Sequence, residues 1–575
     1  MSVVISDYKR PAFLDTLSRA YSDRGKSVAL LTGDTHDLFW LRSKERFLEL
    51  EQTLYQALCQ MFTVLRLDIA TGIEFYDNQD LLTLSRVCVQ ADSLAIQADD
   101  KIGDLKEQIA STRHSPLPAL VLLQELLSAV VAVRRDNKLV KPLCTIVQFG
   151  GSLFPSGDFN QLAELDRQRL ITFLNLIEAP WFKSSNHLII LIADTRSEVN
   201  ARIMALPSVQ CIEIELPNAI ERDTFVQSYA TNNSSELMFE KGRDVFVSDT
   251  AGLTLTGLQD ILEVSRRTGS QISRNDVLAE INSVMTADLG DIVKISRPDH
   301  KPSDIVGYQK TGEILLDIFR RCENAETAVP AILVSGPNGA GKTFQLEAYA
   351  SESGRVVIEL VGLRGMYFGQ TDTFFEKLRL RLRTYGKILI LVDEAHTQFG
   401  SVHRSDTHET EKRLAGNIIK MMGDRSMFGK VLWALMTSRP DELDPDVKSR
   451  APVQIPIFDL DSQERRNFVT QLFAHNKVPI PEDEIDNVLK KTENYSARDY
   501  DFLAKEVKGS GRTSVLQTLA VWQASASILR ERRLQTLLAA QHCSYPGLLP
   551  ESLKSIVGTE ELEQEVQKLK LALHL

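Results

Sequence analysis

The sequence predicts an α/β protein of two tandem modules, each a parallel sheet flanked by helices with a helical lid. Three observations carry this expectation. Apolar strand-like runs alternate with helical periods along most of the 575 residues. The two halves repeat the same punctuation at a fixed offset. The second half also holds a G-x-x-x-x-G-K-T stretch between a strand and a helical segment.

Length and composition set the frame. A chain of 575 residues exceeds what one hydrophobic core organises, so two or more domains are expected. With 43% hydrophobic and 25% charged residues, the composition is that of a soluble globular protein. The net charge of −11 argues against a surface devoted wholly to nucleic acid. Cys59, Cys88, Cys144, Cys211, Cys322 and Cys543 form no C-x-x-C pair or metal-ligand spacing, which fits reduced thiols. The opening MSVVISDYKRPAF has charges where a signal peptide needs an apolar core, so a cytoplasmic protein is expected. The run LPALVLLQELLSAVVAV (117–133) is interrupted by Gln124 and Glu125 and is short for a span, so it is expected as a core helix and no membrane span is expected.

The repeat is visible in two places. IEIELPNAIERDTFV (212–226) and VQIPIFDLDSQERRNFV (453–469) both run from a strand through a turn into E-R-x-x-F-V, with Glu221 and Glu464 offset by 464 − 221 = 243. TIVQFGG (145–151) set against ILILVDEA (388–395) in that register puts Gly150 and Gly151 opposite Asp393 and Glu394. Gly33 and Gly336 differ by 336 − 33 = 303, so the first half carries about 60 extra residues, assigned to the helical, charge-rich stretch 76–140. The polar, proline-containing ISRPDHKPSD (295–304) reads as the linker. The expected first module is thus 1–294, with a core to about 215 and a lid over 216–290. The second has a core at 305–460, a lid at 461–534 and a helical tail at 535–575. In the tail, Leu562, Val566, Leu569 and Leu573 recur at helical spacing, a stripe expected to pack on the domain.

AILVSGPNGAGKTF (331–344) has the strand–loop–helix context of a phosphate-binding loop. Gly336, Gly339 and Gly341 let backbone N–H groups approach an anion, with Pro337, Asn338, Ala340 and Phe344 completing the loop. Lys342 would reach the β- and γ-phosphates of ATP, and the Thr343 hydroxyl would sit on Mg²⁺. The apolar strand ILILV then presents Asp393 and Glu394, an acid for the Mg²⁺ shell and a base for the attacking water. Asp-Glu-Ala-His also occurs in helicases and does not by itself choose the enzyme class. The lack of an L-S-G-G-Q stretch disfavours an ABC transporter ATPase.

With these motifs in place, residues 303 to about 530 resemble an ATPase module of the AAA+ superfamily, in its protein-remodelling subgroup. DIVGYQK (304–310) resembles the segment under the adenine, implying Ile305, Val306 and Gly307 as base contacts. TSRPDELDPDVKSR (437–450) resembles the family's sensor stretch, with Ser438 where an asparagine normally sits and Arg450 near the place of the arginine that reaches a neighbouring subunit. YSARDYDFL (495–503) resembles the lid element, implying Arg498 as the arginine that senses nucleotide in cis. GMYFGQTD (365–372) resembles the pore loop of polypeptide-threading members, implying Tyr367 as the gripping ring with Phe368 beside it. The resemblance implies a ring, expected to be a hexamer, acting on polypeptides or protein complexes.

The first half resembles the same module more weakly, over about residues 1–290. LLTGDTHDLF (30–39) reads as a buried strand breaking at Gly33 into a polar turn and an apolar helix start, without the lysine, the hydroxyl and two of the glycines. Asp34 and Asp37 would repel phosphate where that helix N-terminus faces it. DRGKS (23–27) precedes the strand and lacks the first glycine, so it is a decoy. A non-hydrolysing scaffold or adaptor platform is the expected role. Two other readings stay open: a nucleic-acid-directed ATPase (a loader or translocase), for which KEVKGSGR (505–512) and RERR (530–533) supply modest basic runs, and an ATP-dependent assembly switch.

Overall fold

A computed structural model describes residues 10–574, apart from 24, 92–100, 138, 234–236, 290–291, 297, 299, 362–369, 385–386, 400–408, 511, 513 and 524–528. Contacts divide the chain into two compact units, residues 1–284 with 372–384, and residues 285–371 with 385–575.

The first unit holds β1 (Val28–Gly33), β2 (Leu38–Leu41), β3 (Arg46–Glu49), β4 (Thr63–Asp68), β5 (Gly72–Phe75), β6 (Leu143–Val147), β7 (Leu188–Ile192) and β8 (Val209–Ile214). Its main sheet has the order β5-β4-β6-β7-β1-β8, parallel except for β5. The runs LCTIV and LIILI are buried at every position, as strands covered on both faces require. The second unit holds β9 (Val293–Ser296), β10 (Ala331–Ser335), β11 (Val356–Leu360), β12 (Ile388–Val392), β13 (Val431–Thr437) and β14 (Val453–Pro456). Its order, β14-β10-β13-β12-β11-β9, is again parallel except for the last strand. Taken from the opposite end, the first sheet has the same arrangement, so β1 corresponds to β10, β6 to β12, β7 to β13 and β8 to β14.

Both sheets are therefore mixed at one edge, which the sequence pattern did not show. At β9 this corrects the expected linker. Ile295 and Ser296 pair with Ile358 and Val357, because Val293 and Ile295 bury one alternate face. Among the described residues the expected helical insertion holds three helices, Asn78–Gln90, Lys101–Ser111 and Pro116–Asp136. The last contains 20 residues long and apolar enough to cross a membrane by composition, yet Leu120, Leu123, Leu126, Leu127 and Val130 sit in the core formed with β4–β7. The lid of the second unit comprises helices Ser462–His475, Ile485–Lys491, Ala497–Ser510 and Val515–Leu519 around Phe473, Tyr500 and Leu503. The expected lid–tail boundary at 534/535 falls inside one helix, Leu529–Gln541, which packs with Glu560–Ala572. Leu562 and Val566 of the terminal stripe are buried against it.

The stretch after Gly33 departs from expectation most clearly, because no helix starts there. Leu38–Leu41 and Arg46–Glu49 form an antiparallel hairpin instead, and Trp40 meets Phe47 with ring centroids 5.1 Å apart. The next α-helix is Leu50–Leu58. Asp37 thus faces no helix of its own. Its carboxylate accepts from the backbone N–H groups of Leu255 (2.7 Å) and Thr256 (2.9 Å) and from the Thr256 hydroxyl, capping the lid helix Leu255–Thr268.

Asp37→Ala leaves the buried Leu255 N–H without its partner and uncaps the helix, and is expected to destabilise the first unit by about 1–2 kcal/mol. Equilibrium chemical denaturation measures it. An unchanged midpoint would show that the cap contributes nothing.

Candidate nucleotide site

The second unit brings its chemistry to the C-terminal ends of three adjacent strands, β10, β13 and β12, where open α/β sheets bind ligands. After β10 the chain leaves through Gly336 at φ +147°, and Gly339 and Gly341 follow at +88° and +89°. A Cβ on Gly336 would lie 2.0 Å from the Ile457 carbonyl oxygen, and one on Gly339 would lie 2.9 Å from Ser496 Oγ. Gly341 meets nothing within 4 Å, so its glycine is needed for the left-handed conformation that starts helix Lys342–Glu352.

Lys342 Nζ donates to the carbonyls of Gly336 (2.9 Å) and Pro337 (3.2 Å), spanning the inside of the loop. Burial lowers its pKa from the ordinary lysine value, while Asp393 and Glu394 pull it up and Arg498 pushes it down. Those four side chains therefore share one electrostatic neighbourhood. Thr343 Oγ1 lies 3.6 Å from Met436 Sδ, a weak acceptor that leaves the hydroxyl free to turn to a better partner. Phe344 stacks on His300 with centroids 4.2 Å apart, half exposed. The Asn338 N–H donates outward to Gln535 Oε1 at 3.0 Å, and the Ala340 carbonyl accepts from the Tyr308 hydroxyl at 3.1 Å.

That tyrosine sets the course of the preceding segment. Gly307 turns at φ +78° against Leu460, Ile305 packs on the sheet's core cluster and Val306 is half-buried beside it. Asp393 and Glu394 follow β12, both exposed. Glu394 adopts the left-handed region (φ 48°, ψ 45°) and starts helix Ala395–Gln398. Its Oε2 is 3.4 Å from His396 Nδ1, which also bonds Thr437 Oγ1 at 2.9 Å. His396 thus ties the end of β12 to the end of β13. Ser438, the next residue, is buried, and Arg439 beyond it pairs with Asp441 and Glu442. Asp441 also pairs with Lys570 of the terminal helix at 2.7 Å.

Arg498 begins the third lid helix against the loop, its N–H donating to the Gly339 carbonyl at 3.3 Å. Arg450 ends helix Pro445–Arg450 at the surface with its guanidinium beside Gly423. Tyr367 and Phe368 lie outside the described residues. The contacts of Gln535, Arg532 and Lys570 were not anticipated, because the signals in their helices were a basic run at 530–533 and an apolar stripe from Leu562 to Leu573, neither of which marks a partner. Among the described residues no group of three His, Cys, Asp or Glu side chains has a metal-holding arrangement.

The first unit has the same frame with other side chains, and it corrects the repeat register. Phe149 has φ 53° and ψ 46° and starts a four-residue helix after β6, as Glu394 does after β12. The counterparts of Asp393 and Glu394 are therefore Gln148 and Phe149, at 393 − 148 = 245, and not Gly150 and Gly151. The 243 offset holds at Ile214 and Ile457, so two additional residues lie between these strands in the first unit. Gln148 Nε2 donates to Glu51 at 2.8 Å, and His36 pairs with Asp194 at 2.8 Å beside the Gly33 turn.

Comparison with known proteins now identifies the family. A model of the ATPase family associated with various cellular activities (AAA) matches residues 332–458, and one described as an AAA+ chaperone N-terminal Rossmann-like domain matches residues 7–215. The chain belongs to the AAA+ ATPases. The model matched by the second unit describes an ATPase module. Among similar proteins, ATPase family gene 2 protein of Saccharomyces cerevisiae is 23% identical over 259 residues, covering 41% of this chain and 32% of that protein. Protein SAV of Sulfolobus acidocaldarius is 28% identical over 180 residues (30% and 23%), and spastin of Gallus gallus 25% over 273 residues (46% and 44%). The matches thus span less than half the length of each of these relatives.

Gly336→Ala sets a Cβ against the Ile457 carbonyl in an unfavourable backbone conformation and is expected to cost about 2–4 kcal/mol. A thermal unfolding midpoint equal to that of the unmodified protein would refute the close approach.

Proposed function

We propose that this AAA+ ATPase is a protein-remodelling machine driven by its second unit, with the first as a non-hydrolysing scaffold or adaptor platform. The observation that carries the reading is the shared neighbourhood of Lys342, Asp393, Glu394 and Arg498 around a glycine loop. Lys342 would neutralise the β- and γ-phosphates, and Glu394 would orient and deprotonate the attacking water. Thr343 and Asp393 fit Mg²⁺, an oxygen-seeking ion that would offset phosphate charge. Ile305, Val306 and Gly307 would run under the adenine, Ser438 would sense phosphate and Arg498 would act in cis. Arg450, exposed at a helix end, would act on the neighbouring subunit of a hexameric ring. Tyr367 and Phe368 would line the pore, an adaptor would dock on the first unit, and the cytoplasm is the proposed location.

Two features support the scaffold reading. Gln148 and Phe149 offer neither a metal ligand of the carboxylate type nor a base, and the Gly33 turn carries Asp34 and Asp37 in place of donors and a lysine. Titration with a non-hydrolysable ATP analogue is expected to give one site per chain, abolished by Lys342→Ala. A second site, or binding that survives the substitution, would overturn the assignment. Glu394→Gln is expected to keep binding while slowing hydrolysis about 100-fold or more; normal turnover would put the base elsewhere. Stimulation of the ATPase rate by an unfolded polypeptide supports remodelling. Stimulation by DNA or RNA, or by neither class, replaces it with a translocase or an assembly switch.

A further inference from the structure

We propose that Gln535 and Arg532 are positioning residues for nucleotide binding, through which helix Leu529–Gln541 holds the phosphate-binding loop and the lid in register. The two side chains are three residues apart and so share a helix face. Gln535 is buried, with 1% of its surface exposed; its Oε1 accepts the Asn338 N–H at 3.0 Å and its Nε2 donates to Glu531 at 3.3 Å. Asn338 lies between Gly336 and Gly339, whose positive φ values leave the loop with few internal constraints. The amide bond to Gln535 therefore ties the tip of a glycine-rich loop to a rigid helix from outside, leaving its inner face to Lys342.

Arg532 reaches two further pieces. It pairs with Asp459, just after β14, and at 3.4 Å with Asp499. Asp499 in turn accepts from the N–H and the hydroxyl of Ser496, closing the N-terminus of the lid helix that carries Arg498. Burial raises the Asp459 carboxyl above its ordinary pKa, against the pull of Arg532. One helix face thus joins the loop, the segment entering the lid and the lid helix. These are the pieces whose relative placement decides whether Lys342 and Arg498 meet the same phosphates.

The inference rests on the second unit binding ATP as proposed above. Gln535→Leu in the full chain keeps side-chain bulk but removes the acceptor. The KM for ATP is expected to rise about tenfold, with kcat within about twofold, because the loop must then be ordered at the expense of binding. An unchanged KM overturns the proposal, as does an equal fall in kcat at constant KM. The unmodified, nucleotide-free protein gives a second measurement that does not depend on a variant folding. Hydrogen exchange at the Asn338 amide is expected to be at least tenfold slower than for an unprotected loop amide; exchange at the unprotected rate overturns the proposal. Failure of the unmodified protein to bind ATP overturns both readings, whereas normal binding with KM unmoved by Gln535→Leu overturns this one alone.

Discussion

The candidate site depends first on how closely Gly336 passes the carbonyl oxygen of Ile457. With 2.0 Å available where a Cβ would stand, only glycine lets β10 leave the sheet at that point, and φ +147° sends the chain across the end of β14. The first unit has the same crowding, with 2.4 Å between a Cβ on Gly33 and the Ile214 carbonyl oxygen. The glycine after the first parallel strand is therefore required by the packing of that strand on its neighbour, whatever the loop binds. Gly339 and Gly341 carry the information about phosphate, since the first unit keeps its sheet without counterparts to them.

This distinction explains what the sequence could and could not tell. Fully buried strands such as ILILV and LIILI are legible because every position is apolar, and the G-x-x-x-x-G-K-T spacing is legible because the loop's backbone needs it. The hairpin after Gly33 was not legible as such. Leu38-Phe39-Trp40-Leu41 is as apolar as a helix start, and its strand character comes from pairing with Arg46–Glu49 eight residues on. The repeat register failed locally for another reason. A constant offset assumes equal spacing, and two additional residues between the third and last parallel strands moved Gln148 and Phe149 into the places given to Gly150 and Gly151. Gln535, Arg532 and Lys570 act through a few polar contacts each, on helices far along the chain, and no periodic pattern marks such residues.

The pair Phe149 and Glu394 separates backbone from chemistry. Both adopt nearly the same left-handed conformation at the end of the third parallel strand, which costs a residue with a Cβ on the order of 1 kcal/mol. In the second unit the conformation points a carboxylate away from the strand, beside His396. In the first it carries a phenylalanine that is 57% exposed, where the cost brings no acid–base chemistry. The turn is therefore maintained by the short helix on its C-terminal side. Gly150–Leu153 and Ala395–Gln398 each lead into a fully buried aromatic, Phe154 and Phe399, and swinging the strand end out of the left-handed region would pull that ring from the core.

Electrostatics then divides two frames that packing makes alike. In the second unit the loop draws a partly desolvated lysine inward, and the acids at the end of β12 keep its proton in place against the cost of burial. A bound polyphosphate would add negative charge to the same lysine and raise its pKa further, so nucleotide and protonated Lys342 stabilise each other. In the first unit the corresponding turn holds Asp34 and Asp37, and its His36 imidazole is hydrogen-bonded to Asp194 at 2.8 Å. That pair holds the Asp194 carboxyl below its ordinary pKa, chiefly through the His36 hydrogen bond. The stabilisation carried by this depressed carboxyl is present above the ordinary carboxylate pKa and is lost as acid protonates Asp194. A polyphosphate arriving there would compete with carboxylates for a single imidazole. The same sheet arrangement thus carries a lysine-bearing glycine loop in one unit and an acidic turn in the other, where Asp37 is engaged in capping the lid helix Leu255–Thr268. The ends of β12 and β6 differ as well, Asp393 and Glu394 against Gln148 and Phe149.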